Sequence, residues 1–254
     1  QLYYNFHTLT QYRGEVVSSV DYSVGGVYLL GEVTFLPKAG FTGSVQIGYE
    51  GTDSRGKTFR GQIRIQVNQG SGSRYFQDMG SYAWAAPYVD LLYEAGVITG
   101  TGGQRYRPAD AVSRGDFMLM LYRAFQLTPA SGAGFPDVPP GSYYAQAIQA
   151  ARAAGIASGY PDGGFHPQEP VTRQDAMVLL ERTMQATGWS LGAANTRYLS
   201  GFRDGGMVAP YAQEAMSHMI EYGIITGTPE QKLNPIQSIS RAEMAVMLAR
   251  AITF

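Results

Sequence analysis

A mainly α-helical protein with a small all-β N-terminal domain is the fold class that the sequence predicts. Three observations carry it. A block of motifs recurs three times between Tyr75 and Phe254, and the apolar residues inside each block are spaced as on one face of a helix. Residues 1–68 alternate apolar and polar side chains instead, the period of a strand.

In the N-terminal segment, Gly43-Ser-Val45-Gln-Ile47-Gly-Tyr49 and Gln62-Ile63-Arg-Ile65-Gln-Val67 are period-two strands, and the turn at Thr52–Lys57 joins them as a hairpin. Val27–Leu36 and Tyr3–Thr10 are further strands, so 1–68 reads as a small antiparallel sandwich, short for its class, as an incomplete one would be. Asn68-Gln-Gly-Ser-Gly-Ser73 has linker composition, which puts a boundary at 69–74 and a helical domain at 75–254. Its repeats span 75–130, 131–192 and 198–254, the longer last interval reflecting a polar insert around Ser190–Thr196.

Each repeat opens with Phe-x-Asp: Phe76-Gln77-Asp78, Phe135-Pro136-Asp137 and Phe202-Arg203-Asp204. An aromatic follows, Trp84, Tyr143 or Tyr211, twelve residues before a glycine. Trp84, Tyr88, Leu91, Leu92 and Ala95 share one helical face, as do Ala147, Ile148, Ala151 and Ala154, and Ala215, Met216, Met219 and Ile220. Gly96, Gly155 and Gly223 then stop the helix, since glycine enters the left-handed conformation without steric cost. A turn-rich loop follows, with Tyr106, Phe165 or Leu233 two residues before a proline. A second helix starts at Ser113, Thr172 and Ser240, with apolar faces such as Phe117, Leu121, Phe125 and Met177, Leu180, Met184.

Those starts read Ser113-Arg114-Gly115-Asp116, Thr172-Arg173-Gln174-Asp175 and Ser240-Arg241-Ala242-Glu243. A hydroxyl followed three residues later by an acid is a helix cap, so Ser113, Thr172, Ser240, Asp116, Asp175 and Glu243 are structural. The arginines do not fit that account. A cation in the first turn faces the positive end of the helix dipole, at a cost of a few tenths of a kcal/mol. Two explanations stand side by side. Either exposed guanidiniums await an anionic ligand, which a planar fork grips through two hydrogen bonds, or they bridge internally, for instance to the Asp of Phe-x-Asp in an adjacent repeat.

The spaced markers, above all Gly159-Tyr160-Pro161-Asp162-Gly163-Gly164-Phe165-His166-Pro167 and Ser240-Arg241-Ala242-Glu243, resemble the S-layer homology domain of bacterial surface proteins. The resemblance implies a pseudo-threefold assembly around a central helix bundle, with grooves between repeats. It implies an extracellular cell-wall or S-layer location and non-covalent attachment to a pyruvylated secondary cell-wall polysaccharide, whose ketal carboxylate Arg114, Arg173 and Arg241 would clamp. Trp84 would stack on a sugar ring, and Gly100, Gly159, Tyr160, Asp162 and Gly227 are secondary ligand candidates. Lateral contacts with other surface proteins are a further expectation. Departures in the first and third loops, which lack the Asp-Gly turn, imply unequal grooves. Residues 1–68 resemble the last strands of cadherin-like or immunoglobulin-like repeats.

Composition narrows the field. With 254 residues, 44% hydrophobic and 15% charged, the chain has room for two domains, and a net charge of −1 argues against nucleic acid as a partner. No apolar run reaches the length of a membrane span. The absence of cysteine excludes thiolate metal sites and suits export. His7, His166 and His218 have no ligand spacing, and no catalytic motif is present, so no enzyme, metal or cofactor is expected. The ten methionines read as core. A start at Gln1 without a signal peptide suggests a piece of a longer secreted precursor. The alternatives to a wall anchor are a scaffold for an acidic peptide and an accessory domain of a wall hydrolase.

Overall fold

The computed structural model describes residues 72–132 and 134–253 with their side chains. N-terminal to these it describes Lys57 and the backbone of six strands. The strands are β1 (Tyr3–Thr8), β2 (Gly14–Ser18), β3 (Val27–Tyr28), β4 (Val33–Pro37), β5 (Gly43–Thr52) and β6 (Thr58–Val67). All pairing is antiparallel: one sheet has the order β3-β1-β5-β6, and β2 pairs with β4 apart from it. The single strand expected over Val27–Leu36 is two, and residues 29–32 between them lie outside the described residues.

The expected linker straddles the edge of the described part, with 69–71 outside it. Ser73 and Arg74 are not free linker. The Ser73 hydroxyl donates to Asp90, and the Arg74 amide donates to the same carboxylate at 2.9 Å. A polar pair beside a 5%-exposed aspartate is drawn in because Asp90 would otherwise be buried without partners.

Six helices follow: α1 (Ala86–Glu94), α2 (Arg114–Ala124), α3 (Ala145–Ala153), α4 (Arg173–Ala186), α5 (Gln213–Glu221) and α6 (Arg241–Ile252). The expected helix from Trp84 begins two residues later, with Pro87 in the first turn, where its missing N–H costs nothing. Trp84, Tyr143 and Tyr211 thus stand just outside the helices they precede. Gly96, Gly155 and Gly223 adopt φ of 69°, 72° and 68° and end α1, α3 and α5.

The first helix of each repeat packs on the second helix of the preceding one: α3 on α2, α5 on α4, and α1 on α6. That last contact closes the ring. Central α2 also meets α4 and α6. The core between them buries Leu92, Met118, Leu121, Ile148, Met177, Met216 and Leu248 almost completely. Each such side chain contributes roughly 1.5–3 kcal/mol on burial.

A hydrogen-bonded triangle repeats the closure at the centre of the loops. Val171 N donates to Val112 O at 2.9 Å, Ile239 N to Val171 O at 3.1 Å, and Val112 N to Ile239 O at 3.0 Å. Each residue stands one before the N-cap of its repeat, so the three helix starts are fixed relative to one another.

Candidate functional site

The loops are held from beneath by the Phe-x-Asp carboxylates. Asp78 accepts from the amides of Tyr106 and Arg107, Asp137 from those of Phe165 and His166, and Asp204 from those of Leu233 and Asn234. The second residue of each pair is left-handed, Arg107 at φ 56°, His166 at 59° and Asn234 at 51°. Such a backbone costs roughly 1–3 kcal/mol and persists because the carboxylate pins it. Burial alone would raise the Asp78 and Asp137 pKa, but the amide donors outweigh it and hold both below 3.8.

Gly100, Gly159 and Gly227 have a packing reason to be glycine. A Cβ would come within 2.6 Å of Phe76, 2.6 Å of Phe135 and 2.4 Å of Phe202 respectively. Each glycine therefore seats the phenylalanine of its own Phe-x-Asp. Asp162 is likewise engaged within its loop, accepting from Gly164 N at 2.9 Å and pairing with His166 at 2.7 Å.

At the second-helix starts, Ser113, Thr172 and Ser240 accept from the amides of Asp116, Asp175 and Glu243 at 3.1–3.2 Å. Glu243 also reaches back to the Ser240 amide at 2.9 Å, completing a capping box. Asp116 and Asp175, one methylene shorter, accept from the cap hydroxyls of Ser113 and Thr172 at 2.9 and 2.7 Å. Tyr143 donates its hydroxyl to Asp116 at 2.6 Å, and Tyr211 to Asp175 at 2.7 Å. Burial, and next the neighbouring carboxylate, pushes both phenols up to about 12.

The three arginines are not exposed. Each helix start docks under the loop of the next repeat: Arg114 N donates to Glu169 O, Arg173 N to Gln237 O and Arg241 N to Asp110 O. The loop covers the guanidinium, leaving Arg114 8% and Arg241 9% exposed, and the Arg173 side chain 12%. Nor do they bridge to Phe-x-Asp. Arg114 donates through Nε to Phe165 O at 3.1 Å and lies over the Tyr160 and Phe165 rings at 4.6 and 5.0 Å. Arg241 donates through Nε to Tyr106 O at 2.7 Å, reaches Thr99 O at 3.3 Å and lies 4.6 Å over the Tyr106 ring. Among the described residues neither is paired with a carboxylate.

Arg173 differs. Leu233 offers it no ring. It donates to Glu243 Oε1 at 3.0 Å, and its Nε is buried without a hydrogen-bond partner. Burial lowers its pKa and Glu243 offsets part of that, while a guanidinium stays charged throughout.

The groove between repeats three and one holds a cavity of about 650 Å³, walled by Trp84, Glu243, Arg250 and Thr226–Thr228, with Arg173 at its base. Arg250 belongs to a second triad that the sequence reading missed. Arg123, Arg182 and Arg250 donate to Val97 O, Ile156 O and Ile224 O at 3.3–3.4 Å, satisfying carbonyls where the first helices end. The signal was available: each lies nine residues after Arg114, Arg173 or Arg241.

His218, 4% exposed, is structural. It meets Glu181 through Nδ1 and Gly192 O through Nε2 at 3.0 Å, tying the polar insert to α4 and α5. Among the described residues no cluster of three metal-ligating side chains occurs, and no helix is long and apolar enough to cross a membrane.

Comparison with known proteins finds three repeats in the helical part of the chain. The S-layer homology domain profile matches residues 75–118, 134–177 and 201–245, more than half of the chain. The chain belongs to the S-layer homology domain family. It is similar to the surface-layer 125 kDa protein of Lysinibacillus sphaericus, at 29% identity over 70% of this chain and 14% of that protein. It is similar to an S-layer protein of Bacillus thuringiensis subsp. finitimus, at 24% identity over 71% of this chain and 21% of the relative. An endoglucanase of Bacillus sp. (strain KSM-635) is 28% identical over 68% of this chain and 18% of the enzyme. The chain thus spans about a fifth or less of these relatives. Membership of this family, with its likeness to surface-layer proteins, associates the chain with the outside of the cell, in the cell wall or S-layer.

Proposed function

We propose that this chain anchors a larger surface protein non-covalently by gripping a pyruvylated secondary cell-wall polysaccharide in the grooves between its repeats. The observation that carries the reading is the burial of Arg114 and Arg241 beside aromatic rings with no carboxylate partner among the described residues. A guanidinium taken out of water without a counter-charge is costly, and carbonyls and ring faces offset only part of that. An entering acidic sugar supplies the missing charge, and Trp84, Tyr143 or Tyr211 offers its ring a face.

The match to an endoglucanase covers 18% of that enzyme, so it transfers no hydrolytic activity, and we take this chain as a non-catalytic module. The N-terminal strands are read as a small β-domain that spaces the anchor from whatever it carries.

Co-sedimentation with purified wall sacculi tests the proposal. Binding is expected to be strong and to disappear once hydrofluoric acid strips the secondary polymer. Undiminished binding after that treatment makes peptidoglycan the ligand instead.

A further inference from the structure

We infer that the second loop, residues 159–169, is a pH-sensitive latch over Arg114. An imidazolium at His166 clasps Asp162 and Glu169 and keeps the loop closed, and loss of its proton loosens the loop and uncovers the guanidinium beneath. The latch does not depend on the anchoring reading.

His166 meets a carboxylate at each ring nitrogen. Its Nε2 pairs with Asp162 at 2.7 Å and its Nδ1 with Glu169 at 3.0 Å. A neutral imidazole has one N–H, so it donates to one carboxylate and turns a lone pair on the other. Only the doubly protonated ring serves both. Hydrogen bonding to Asp162 raises the His166 pKa, burial works against the rise, and Glu169 adds to it. A raised value means that the clasp contributes fully at lower pH and is lost as pH rises through it. The other charged groups around the ring are Asp137, which accepts from the His166 amide at 2.7 Å, and Arg114, which lies beyond Tyr160.

The clasp bears directly on what covers Arg114. The His166 ring lies 4.6 Å from that of Tyr160, and the Arg114 guanidinium lies 4.6 Å over the same tyrosine. The Glu169 carbonyl accepts from the Arg114 amide at 2.9 Å, and the Phe165 carbonyl accepts from Arg114 Nε at 3.1 Å. Tyr160, Phe165 and Glu169 all belong to the segment that His166 ties together.

The other two repeats supply the controls. Arg107 and Asn234 stand where His166 stands, with the same left-handed backbone, and Asp110 and Gln237 follow three residues later, as Glu169 does. Arg107 is a permanent cation 3.8 Å from Asp110, and Asn234 is neutral at every pH. Of the three equivalent positions, then, the one in the second loop alone changes charge near neutrality. On a chain placed outside the cell, that side chain is 27% exposed and meets the pH of the surroundings directly.

Arginine labelling with phenylglyoxal, mapped by mass spectrometry, tests the latch. The Arg114 rate is read as a ratio to that of Arg241, which is buried to the same degree, so the reagent's own pH dependence cancels. From about pH 5.5 to 8.5 the wild-type ratio should rise about two- to fivefold, the shift an exposed ion pair of ordinary strength produces. Its midpoint should match the His166 imidazole titration followed by NMR. His166→Arg and His166→Asn install the residues that the other repeats already carry on this backbone. The arginine variant should keep the ratio low throughout, and the asparagine variant should hold it at the alkaline level. An unchanging wild-type ratio, a rise that persists in His166→Arg, or a low ratio throughout in His166→Asn would each overturn the latch.

Discussion

Arg241 and Arg173 begin equivalent helices, yet one lies on a tyrosine and two carbonyls and the other faces a carboxylate. The cause is neither arginine. It is the loop that the next repeat lays over each: Tyr106 covers Arg241, and Leu233 stands where a ring would cover Arg173. A ring face and an aligned carbonyl together offset part of the cost of burying a cation. Without the ring, the guanidinium turns to Glu243, which reaches it because it is one methylene longer than Asp116 or Asp175. A threefold plan thus yields two junctions in which a tyrosine meets the capping aspartate and one in which Trp84 and Glu243 line a cavity.

Stability measurements offer the strongest way to break this comparison. Arg241→Ala removes three partners of a buried group and should cost roughly 2–4 kcal/mol, measured by denaturant unfolding. Arg173→Ala removes a single pairing, between a covered guanidinium and a Glu243 carboxylate that solvent still reaches, along with an unpaired donor, and should cost about 1 kcal/mol or less. Equal losses would mean that the two sites do the same structural work.

The loops can be compared in acid. Asp78 and Asp137 are held below 3.8, so the stability they confer is complete above that value and is lost as pH falls through the lowered folded values. Unfolding followed from pH 5 to pH 2 should show the fall, and Asp137→Asn should flatten part of it at a cost of roughly 1–2 kcal/mol at neutral pH.

The tyrosine–aspartate crossings distinguish the other two junctions more gently. Tyr143→Phe and Tyr211→Phe should each cost about 1 kcal/mol or less. Both phenols are raised to about 12, so their contribution is intact below the ordinary tyrosine value and fades as pH rises through 12. Alkaline titration of tyrosinate absorbance should find these two among the late-titrating rings, with buried Tyr106 later still, and each variant should remove one.

The smallest effect marks the second loop alone. Hydrogen bonding to Asp162 raises the His166 pKa above 6.5, with Glu169 adding to it. The imidazole NMR shift of His166 should titrate above that value and return toward it in Asp162→Asn, with little change in unfolding. A normal value in wild type would mean that the pairing does not persist in solution.

Much of this was readable along the chain because it is local. The helix caps at Ser113, Thr172 and Ser240, and the glycines that end the first helices, depend on neighbours a few residues away. Gly100, Gly159 and Gly227 were read as ligand candidates, although each faces a phenylalanine some 24 residues earlier, a partner visible only once the loop is folded. The second arginine triad was missed because a charged residue inside a helix reads as solvated surface. Its role appears only when the two helices of one repeat pack and bring a carbonyl 26 residues earlier, past the end of the first helix, beside it.

By itself the sequence determined the repeat, the two helices in each copy, where the first helices stop and the second ones start, and the family to which they belong. These follow from periodicity and capping within one unit. Tertiary structure alone decided that the arginines are covered, that Tyr143 and Tyr211 cross their grooves, and that Arg173 pairs with Glu243. Each is a contact between successive repeats, set by a ring closing on itself, and burial in such a ring depends on residues more than fifty positions apart.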